Sequence, residues 1–363
     1  MARSVLMLSS VGARDEAGVY ARPRGGVAHS HGSWEVYNSR DMARKHENSL
    51  RLVTNERYLE AALALVAKAR RSIDILAFSW GIGSVSGRLS FDGAPYKLAA
   101  RLKELKEKRG DSLRVRLYIE GVRETADRNR VTADFLESAG VEVVYGSTHA
   151  KGFSVDGRYV FFGSTNFTNQ SMVKNDEANL LIDDRKVAAQ FTRYFEHLWT
   201  GGGHGGLELG GPLLADGEFK DAILEMIARA KKRIGFSIYF FNHREIERAL
   251  IAAHERGVKI TGFIHQHFSF AMPYIRGNRA TISRMRAAGL EDLHLSDGSK
   301  FSHSKYIVCD GAELALGTGN WLVEDVEEHP QLYIRLKDKP LAKELGAHLK
   351  EQIAAHRGDA GVV

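Results

Sequence analysis

A chain of 363 residues with 44% apolar and 26% charged content has the composition of a soluble globular protein, and is long enough for two domains or one fold built from two similar halves. A net charge of +6 and a pI of 9.2 suit an anionic partner without naming it. The single cysteine, Cys309, excludes an intrachain disulfide. No apolar run is long enough for a secretory leader or a bilayer crossing, so a cytoplasmic protein is expected.

Residues 1–50 are rich in Gly, Arg, Ser and His, show no sustained period, and form an extension of unassigned role. His29 and His31 within it lack the nearby carboxylates or cysteines that a metal site needs, and neither a metal nor any other cofactor is expected. From 51 to 199 the pattern alternates. Residues 55–71 carry apolar positions at helical spacing, 72–80 read as a buried strand, 94–110 as a helix and 113–121 as a strand. A short helix over 131–140 and a strand over 141–145 follow, and after a motif-bearing stretch come a strand at 178–182 and a helix over 186–199. Alternation of this kind predicts an α/β layered fold. The glycine-rich run 200–212 reads as a linker. Residues 213–363 then repeat the order, with helices at 217–232 and 243–257, strands at 233–241 and 258–266, and a helix around 280–289.

The motif-bearing stretch contains His149, Lys151, Asp156, Gly163, Ser164 and Asn166, and each has a counterpart 154 residues later in His303, Lys305, Asp310, Gly317, Thr318 and Asn320. In a strand-like run a His and a Lys two apart point the same way, which sets an imidazole beside a fixed positive charge. Asp156–Gly157 and Asp310–Gly311 lie between apolar strand-like runs, where Asp-Gly is a hairpin signal, so these two aspartates read as structural turn residues. No turn or core argument demands the His, Lys and Asn twice at one spacing. The pattern is that of a duplicated fold with a shared site.

Both stretches resemble the His-x-Lys-x4-Asp-x6-Gly-Ser-x-Asn signature of the phospholipase D superfamily, the second with Gly-Thr-Gly-Asn in place of Gly-Ser-x-Asn. The resemblance covers roughly residues 51–357. It implies two similar α/β sandwich halves related by a pseudo-twofold axis, and a phosphodiesterase whose two motifs meet at one phosphate. It also implies a covalent phosphohistidine, with His149 as nucleophile and His303 as general acid and then base. On that analogy Lys151 and Lys305 offset charge on the phosphate without a metal, and Asn166, Asn320, Ser164 and Thr318 add uncharged donors. Glu177 matches the acid that the family places after its first motif to orient a histidine. The second half departs there: aligning Leu332–Ile334 with Leu180–Ile182 sets His329 opposite Glu177, and leaves Glu324, Glu327 or Glu328 as substitutes.

Two loops after strands 113–121 and 258–266 should flank the site. The first holds Arg123, Arg128 and Arg130; the second holds His267, Phe268, Phe270, Tyr274, Arg276, Arg279, Arg284 and Arg286. Cations interleaved with rings suit a single-stranded nucleic acid, so a nuclease with Arg276, Arg279, Phe268 and Phe270 in its groove is the favoured expectation. A phospholipase or phosphatidyltransferase at a phospholipid surface is the alternative, with the aromatics as an apolar lip. A binding module without catalysis has no need for both His/Lys pairs. Nothing in the sequence points to an obligate protein partner.

Overall fold

The computed structural model describes residues 49–83, 90–266, 272–296 and 300–356. The histidine pair of the extension, His29 and His31, therefore lies outside the described residues.

Two seven-stranded sheets carry the same topology. The first half contributes β1 (Ser49–Thr54), β2 (Ser72–Ala77), β3 (Arg114–Glu120), β4 (Glu142–Gly146), β5 (Gly152–Val155), β6 (Tyr159–Gly163) and β7 (Ala178–Asp183), in the order β1-β7-β6-β5-β2-β3-β4. The second contributes β8 (Leu213–Ala215), β9 (Arg233–Ile238), β10 (Lys259–Ile264), β11 (Leu293–Leu295), β12 (Tyr306–Cys309), β13 (Glu313–Gly317) and β14 (Leu332–Lys337), in the order β11-β10-β9-β12-β13-β14-β8. Reversed, the second order is the first with each strand replaced by its counterpart. In both halves three strands run parallel, β2-β3-β4 and β9-β10-β11, and the others join antiparallel. The expected α/β architecture of two similar halves is what the chain adopts.

Helices α1 (Arg57–Val66), α2 (Ala94–Arg109) and α3 (Ala126–Glu137) join the first-half strands; α4 (Arg185–Trp199) ends that half. Their counterparts are α5 (Glu218–Arg229), α6 (Arg244–Glu255), α7 (Met272–Ala287) and α9 (Lys339–Ala355), with a short α8 (Val323–Glu327) before β14. Both α4 and α9 start on an aspartate N-cap. Asp184 accepts from the Lys186 and Val187 amides, and Asp338 accepts from that of Leu341. From these caps each helix presents an apolar stripe, Val187, Phe191, Tyr194 and Leu198 on α4 and Leu341, Leu345, Leu349 and Ile353 on α9. The stripes share one core with Leu76 and Phe162 of the first sheet and Phe263, Leu316 and Ile334 of the second. At roughly 1.5–3 kcal/mol for each buried Leu or Phe, this core joins the halves into a single body.

The glycine-rich run departs from a free linker. Leu209 is buried in the shared core, Glu218 accepts from the Leu209, Gly210 and Ala215 amides, and Asp216 accepts from the Gly205 amide. Beyond the sequence pattern lie β1, β8, β11 and α8, and two helices start early, α3 at Ala126, five residues before the expected Val131, and α7 at Met272, eight before the expected Ala280.

The motif aspartates sit at hairpin turns. Asp156 and Gly157 have φ of 55° and 59°, Asp310 and Gly311 of 53° and 64°. Each carboxylate also accepts three backbone amides, those of Arg70, Arg71 and Ser72 at Asp156 and of Lys231, Lys232 and Arg233 at Asp310. These turns tie the hairpin to the start of β2 or β9, at the far end of the strand from the histidine and lysine.

Candidate active site

Because β5 runs antiparallel to β2, with Gly152 opposite Leu76, the residues before β5 lie beyond the carboxyl end of β2. The same holds for β12 and β9, where Tyr306 faces Ser237. His149 and Lys151 therefore meet His303 and Lys305 where the two sheets abut, at the sheet edge where α/β folds place ligands. Backbone bonds lock the halves together there: the His149 amide donates to Pro330 O (2.9 Å), and the His303 amide to Asp176 O (2.8 Å).

All four motif side chains are buried, the histidines 7% exposed and the lysines 1% and 2%. Each histidine stacks edge-on against the aromatic residue that follows a central strand, Phe78 with His149 (centroids 4.4 Å apart) and Tyr239 with His303 (4.9 Å). Each lysine donates to the carbonyl of the histidine two residues before it, and Lys151 reaches across to Thr318 O (3.3 Å) as well. Burial pushes both ammonium groups down, with the Lys305 charge adding to the effect on Lys151; Lys305 falls to about 7. Two buried lysines, one within reach of the other's charge, suit an anion. A phosphate between them would restore both lysines to the charged form.

The histidines are held across the halves. His303 Nδ1 lies 3.1 Å from Glu177 Oε2 and 3.0 Å from Ser164 O. Although buried, Glu177 is held down to about 2, mainly by the His303 charge and their hydrogen bond against the opposing effect of burial. His149 Nδ1 lies 2.9 Å from Gln331 Nε2 and 3.3 Å from Gln331 Oε1, with Asp325 Oδ2 3.7 Å away. Burial, then the Lys151 charge, lower His149 well below the usual imidazole range; burial and Lys305 lower His303, against the pull of Glu177.

The residue opposite Glu177 is Gln331, not His329. Gly163 pairs with Asn179 across β6 and β7, and Gly317 with Tyr333 across β13 and β14, so the 154-residue register continues through this strand and on to the two helix caps. Matching the similar triplets Leu180–Ile182 and Leu332–Ile334 slips it by two residues. The carboxylate of the second half is Asp325 on α8, at the position of Ser171. Ser171 donates to Glu177 Oε1 (2.6 Å), whereas Asp325 Oδ2 accepts from the Asn320 amide and side chain (2.9 and 2.7 Å) and Oδ1 faces His329 Nδ1 (3.2 Å). The first half thus pairs Glu with Ser where the second pairs Gln with Asp. Glu324, Glu327 and Glu328 do not take the role: Glu327 bonds Lys220, and no bond joins the other two to either histidine.

Ser164 and Thr318 differ from the expected phosphate donors, because their hydroxyls donate to Glu177 Oε2 (2.5 Å) and Gln331 Oε1 (2.9 Å). The amide oxygens of Asn166 and Asn320 are buried without a hydrogen-bond partner among the described residues.

Further supports carry little signal in the sequence. Asn55 and Asp216, both with positive φ at the end of β1 and β8, accept the backbone amides of Glu177 and Gln331. Buried Asn129 on α3 accepts from the Trp80 amide and donates to Phe78 O and Glu120 O; Asn278 on α7 does the same with Phe241, Tyr239 and His265. Each asparagine clamps the ends of the two strands that frame its histidine.

Of the loop arginines, Arg123 reaches the site, bidentate to buried Glu120, 3.1 Å from His329 Nδ1 and over the Phe78 ring. Arg128 contacts Ser79, and Arg130 is exposed on α3. Arg284 is bidentate to Glu247 and Arg286 donates to Leu293 O, so both serve the scaffold. Arg276 and Arg279 are exposed on α7, while His267, Phe268 and Phe270 lie outside the described residues.

Comparison with known proteins adds the following. A family model described as cardiolipin synthase, PLD-like domain, matches residues 63–199 and again 223–353. Over 121 residues the chain is 31% identical to mitochondrial cardiolipin hydrolase of Xenopus tropicalis (33% of this chain, 54% of that protein) and 24% identical to that of Danio rerio (33% and 51%). The match thus spans about half the length of these curated relatives. Among solved structures, phosphatidylserine synthase of Haemophilus influenzae superposes with a TM-score of 0.63 at 13% identity, over 85% of this chain and 86% of that one. Polyphosphate kinase of Porphyromonas gingivalis gives 0.60 at 12% identity, over 84% and 47%. At such identities the likeness is one of fold.

Proposed function

The chain belongs to the phospholipase D-like family described by the cardiolipin synthase model, a family of phosphodiesterases, and from that premise we propose that it cleaves the phosphodiester of a phospholipid headgroup through a covalent phosphohistidine. The observation that carries the choice of substrate is the family match in both halves, supported by the cardiolipin hydrolases among the relatives. The expectation of a nucleic acid substrate moves to second place. It rested on arginines interleaved with aromatics, and two of those arginines are spent on Glu247 and on Leu293 O.

In the proposed reaction the His149 Nε2 lone pair attacks phosphorus and the bond from phosphorus to the headgroup oxygen breaks, that oxygen taking a proton from His303 Nε2. His303 then removes a proton from water or an acceptor alcohol, whose oxygen displaces the phosphorus–nitrogen bond and returns the electron pair to His149. Lys151 and Lys305 stabilise the charge that grows on the phosphoryl oxygens. Among the described residues no helix is long and apolar enough to cross a membrane.

The test is side-by-side incubation of the purified protein with cardiolipin, phosphatidylglycerol and phosphatidylcholine vesicles and with single-stranded DNA and RNA. Release of a phosphatidyl product from at least one vesicle type is expected. Cleavage of an oligonucleotide with none of any phospholipid would refute the lipid reading and restore the nuclease.

A further inference from the structure

The exchange of Glu177 and Ser171 in one half for Gln331 and Asp325 in the other makes the two histidines unequal. His303 Nδ1 faces two acceptor-only groups at hydrogen-bond distance, the Glu177 carboxylate (3.1 Å) and the Ser164 carbonyl (3.0 Å). An imidazolium there is directly paired with an anion. His149 Nδ1 faces an amide instead, whose nitrogen lies 2.9 Å and whose oxygen 3.3 Å away and which carries no charge; the Nε2 lone pair is free for attack when Nδ1–H donates to that oxygen. The nearest anion, Asp325 Oδ2, stands at 3.7 Å and already accepts two hydrogen bonds from Asn320.

We infer that Gln331 and Glu177 are positioning residues that divide the work of the histidines: the neutral amide leaves His149 uncharged for attack on phosphorus, and the carboxylate keeps on His303 the proton that the leaving oxygen takes. This rests on the phosphohistidine reading and deepens it, since family likeness alone gives the two roles no physical cause. Burial and the lysines lower both rings, and the charges around each set them apart in the same sense. His149 faces Lys151 from the start of β5, Lys305 from the start of β12 and Arg123 from the loop after β3, against Asp325 alone from α8. His303 faces Lys305 and Lys151, with Glu177 in contact from the start of β7. A nucleophilic nitrogen has to be unprotonated and a general acid protonated at the same pH, and paired sites achieve this when their surroundings push them apart.

The test uses bis(p-nitrophenyl) phosphate, whose leaving group departs without a proton, so that the first-turnover burst of p-nitrophenolate reports attack alone, whatever alcohol the natural substrate carries. In the wild type, acid-free quenching and peptide mapping should find the p-nitrophenylphosphoryl group on His149. Gln331→Glu gives His149 a carboxylate partner like that of His303. A shift of about one unit then slows its burst by up to about tenfold at pH values below both imidazole pKa values, with the gap closing as the pH rises above them. Glu177→Gln should keep the burst but lower steady-state turnover by about a hundredfold, because attack by water needs the base.

The phosphoryl group on His303, or on neither histidine, would overturn the division. So would a Gln331→Glu burst slowed equally at every pH, the mark of a merely structural role. If Gln331→Glu fails to fold, Glu177→Gln decides: loss of its burst refutes the inference. If these outcomes hold while phospholipid vesicles go uncleaved, the substrate reading falls and the division of roles stands.

Discussion

Replacing Lys305 with methionine should stabilise the protein while destroying its activity. Lys305 is 2% exposed, and burial lowers it from 10.5 to about 7. At ~1.4 kcal/mol per unit, keeping the ammonium out of water costs on the order of 5 kcal/mol. Methionine keeps the volume and loses the bond to His303 O, which leaves that carbonyl unpaired at a cost of ~1–3 kcal/mol. A net gain of about 2–4 kcal/mol at pH 7 follows. The dependence on pH has a definite sign. Between about 7 and 10.5 the unfolded wild type binds more protons at this site than the folded, so wild-type stability rises with pH through that window. The variant has no such group, and its advantage should be largest at pH 7 and below and gone or slightly reversed by pH 10, where the unpaired carbonyl outweighs what is left of the lysine penalty. Urea titrations at both pH values, followed through the fluorescence of buried Trp80 and Trp321, measure the difference. Turnover should fall about a hundredfold or more with the loss of the charge on the phosphoryl oxygens. A variant less stable than wild type at pH 7 would refute the reasoning, and would mean that Glu177 and Asp325 stabilise the ammonium more than burial costs it.

Asp310→Ala should cost about 2–4 kcal/mol in urea titrations, through three unpaired amides and a non-glycine residue at positive φ, and should leave KM unchanged because the turn lies at the far end of β12 from the site. Asn129→Ala should lose about 3 kcal/mol and also lower kcat, since the strand ends behind Phe78 and Glu120 are no longer clamped; a full kcat would count against that role. Activity should survive excess EDTA, because two lysines offset the charge on the phosphate; loss on chelation and recovery with magnesium, manganese or zinc would show the lysine account to be incomplete.

The architecture was legible where side-chain type is tied to backbone geometry. Asp-Gly turns, apolar strands and helical stripes recur in both halves because the same fold has to be closed twice. The 154-residue register was legible at the motifs and misread at β14, where two similar apolar triplets outweighed the strand pairing that sets Gln331 opposite Glu177. Asp325 was missed for a physical reason: the carboxylate nearest His149 sits on another element, and only proximity across the fold shows that α8 faces the same ring. Asn129 and Asn278 left no trace, since one polar residue on a helix is unremarkable until the strand ends beneath it are known. Arg284 and Arg286 were overread, because an arginine in sequence does not declare whether it faces a ligand or a buried carboxylate.

The contacts between halves at the site bear on how such a centre can change over generations. Each histidine takes its Nδ1 partner and its backbone acceptor from the opposite half. Were the centre formed by two identical chains, any substitution would appear on both sides at once, and exchanging Glu177 and Ser171 for Gln and Asp would strip both rings of their direct carboxylate. Within one polypeptide each half mutates alone. A single-chain arrangement therefore permits an unequal pair of imidazoles that a symmetric homodimer cannot encode.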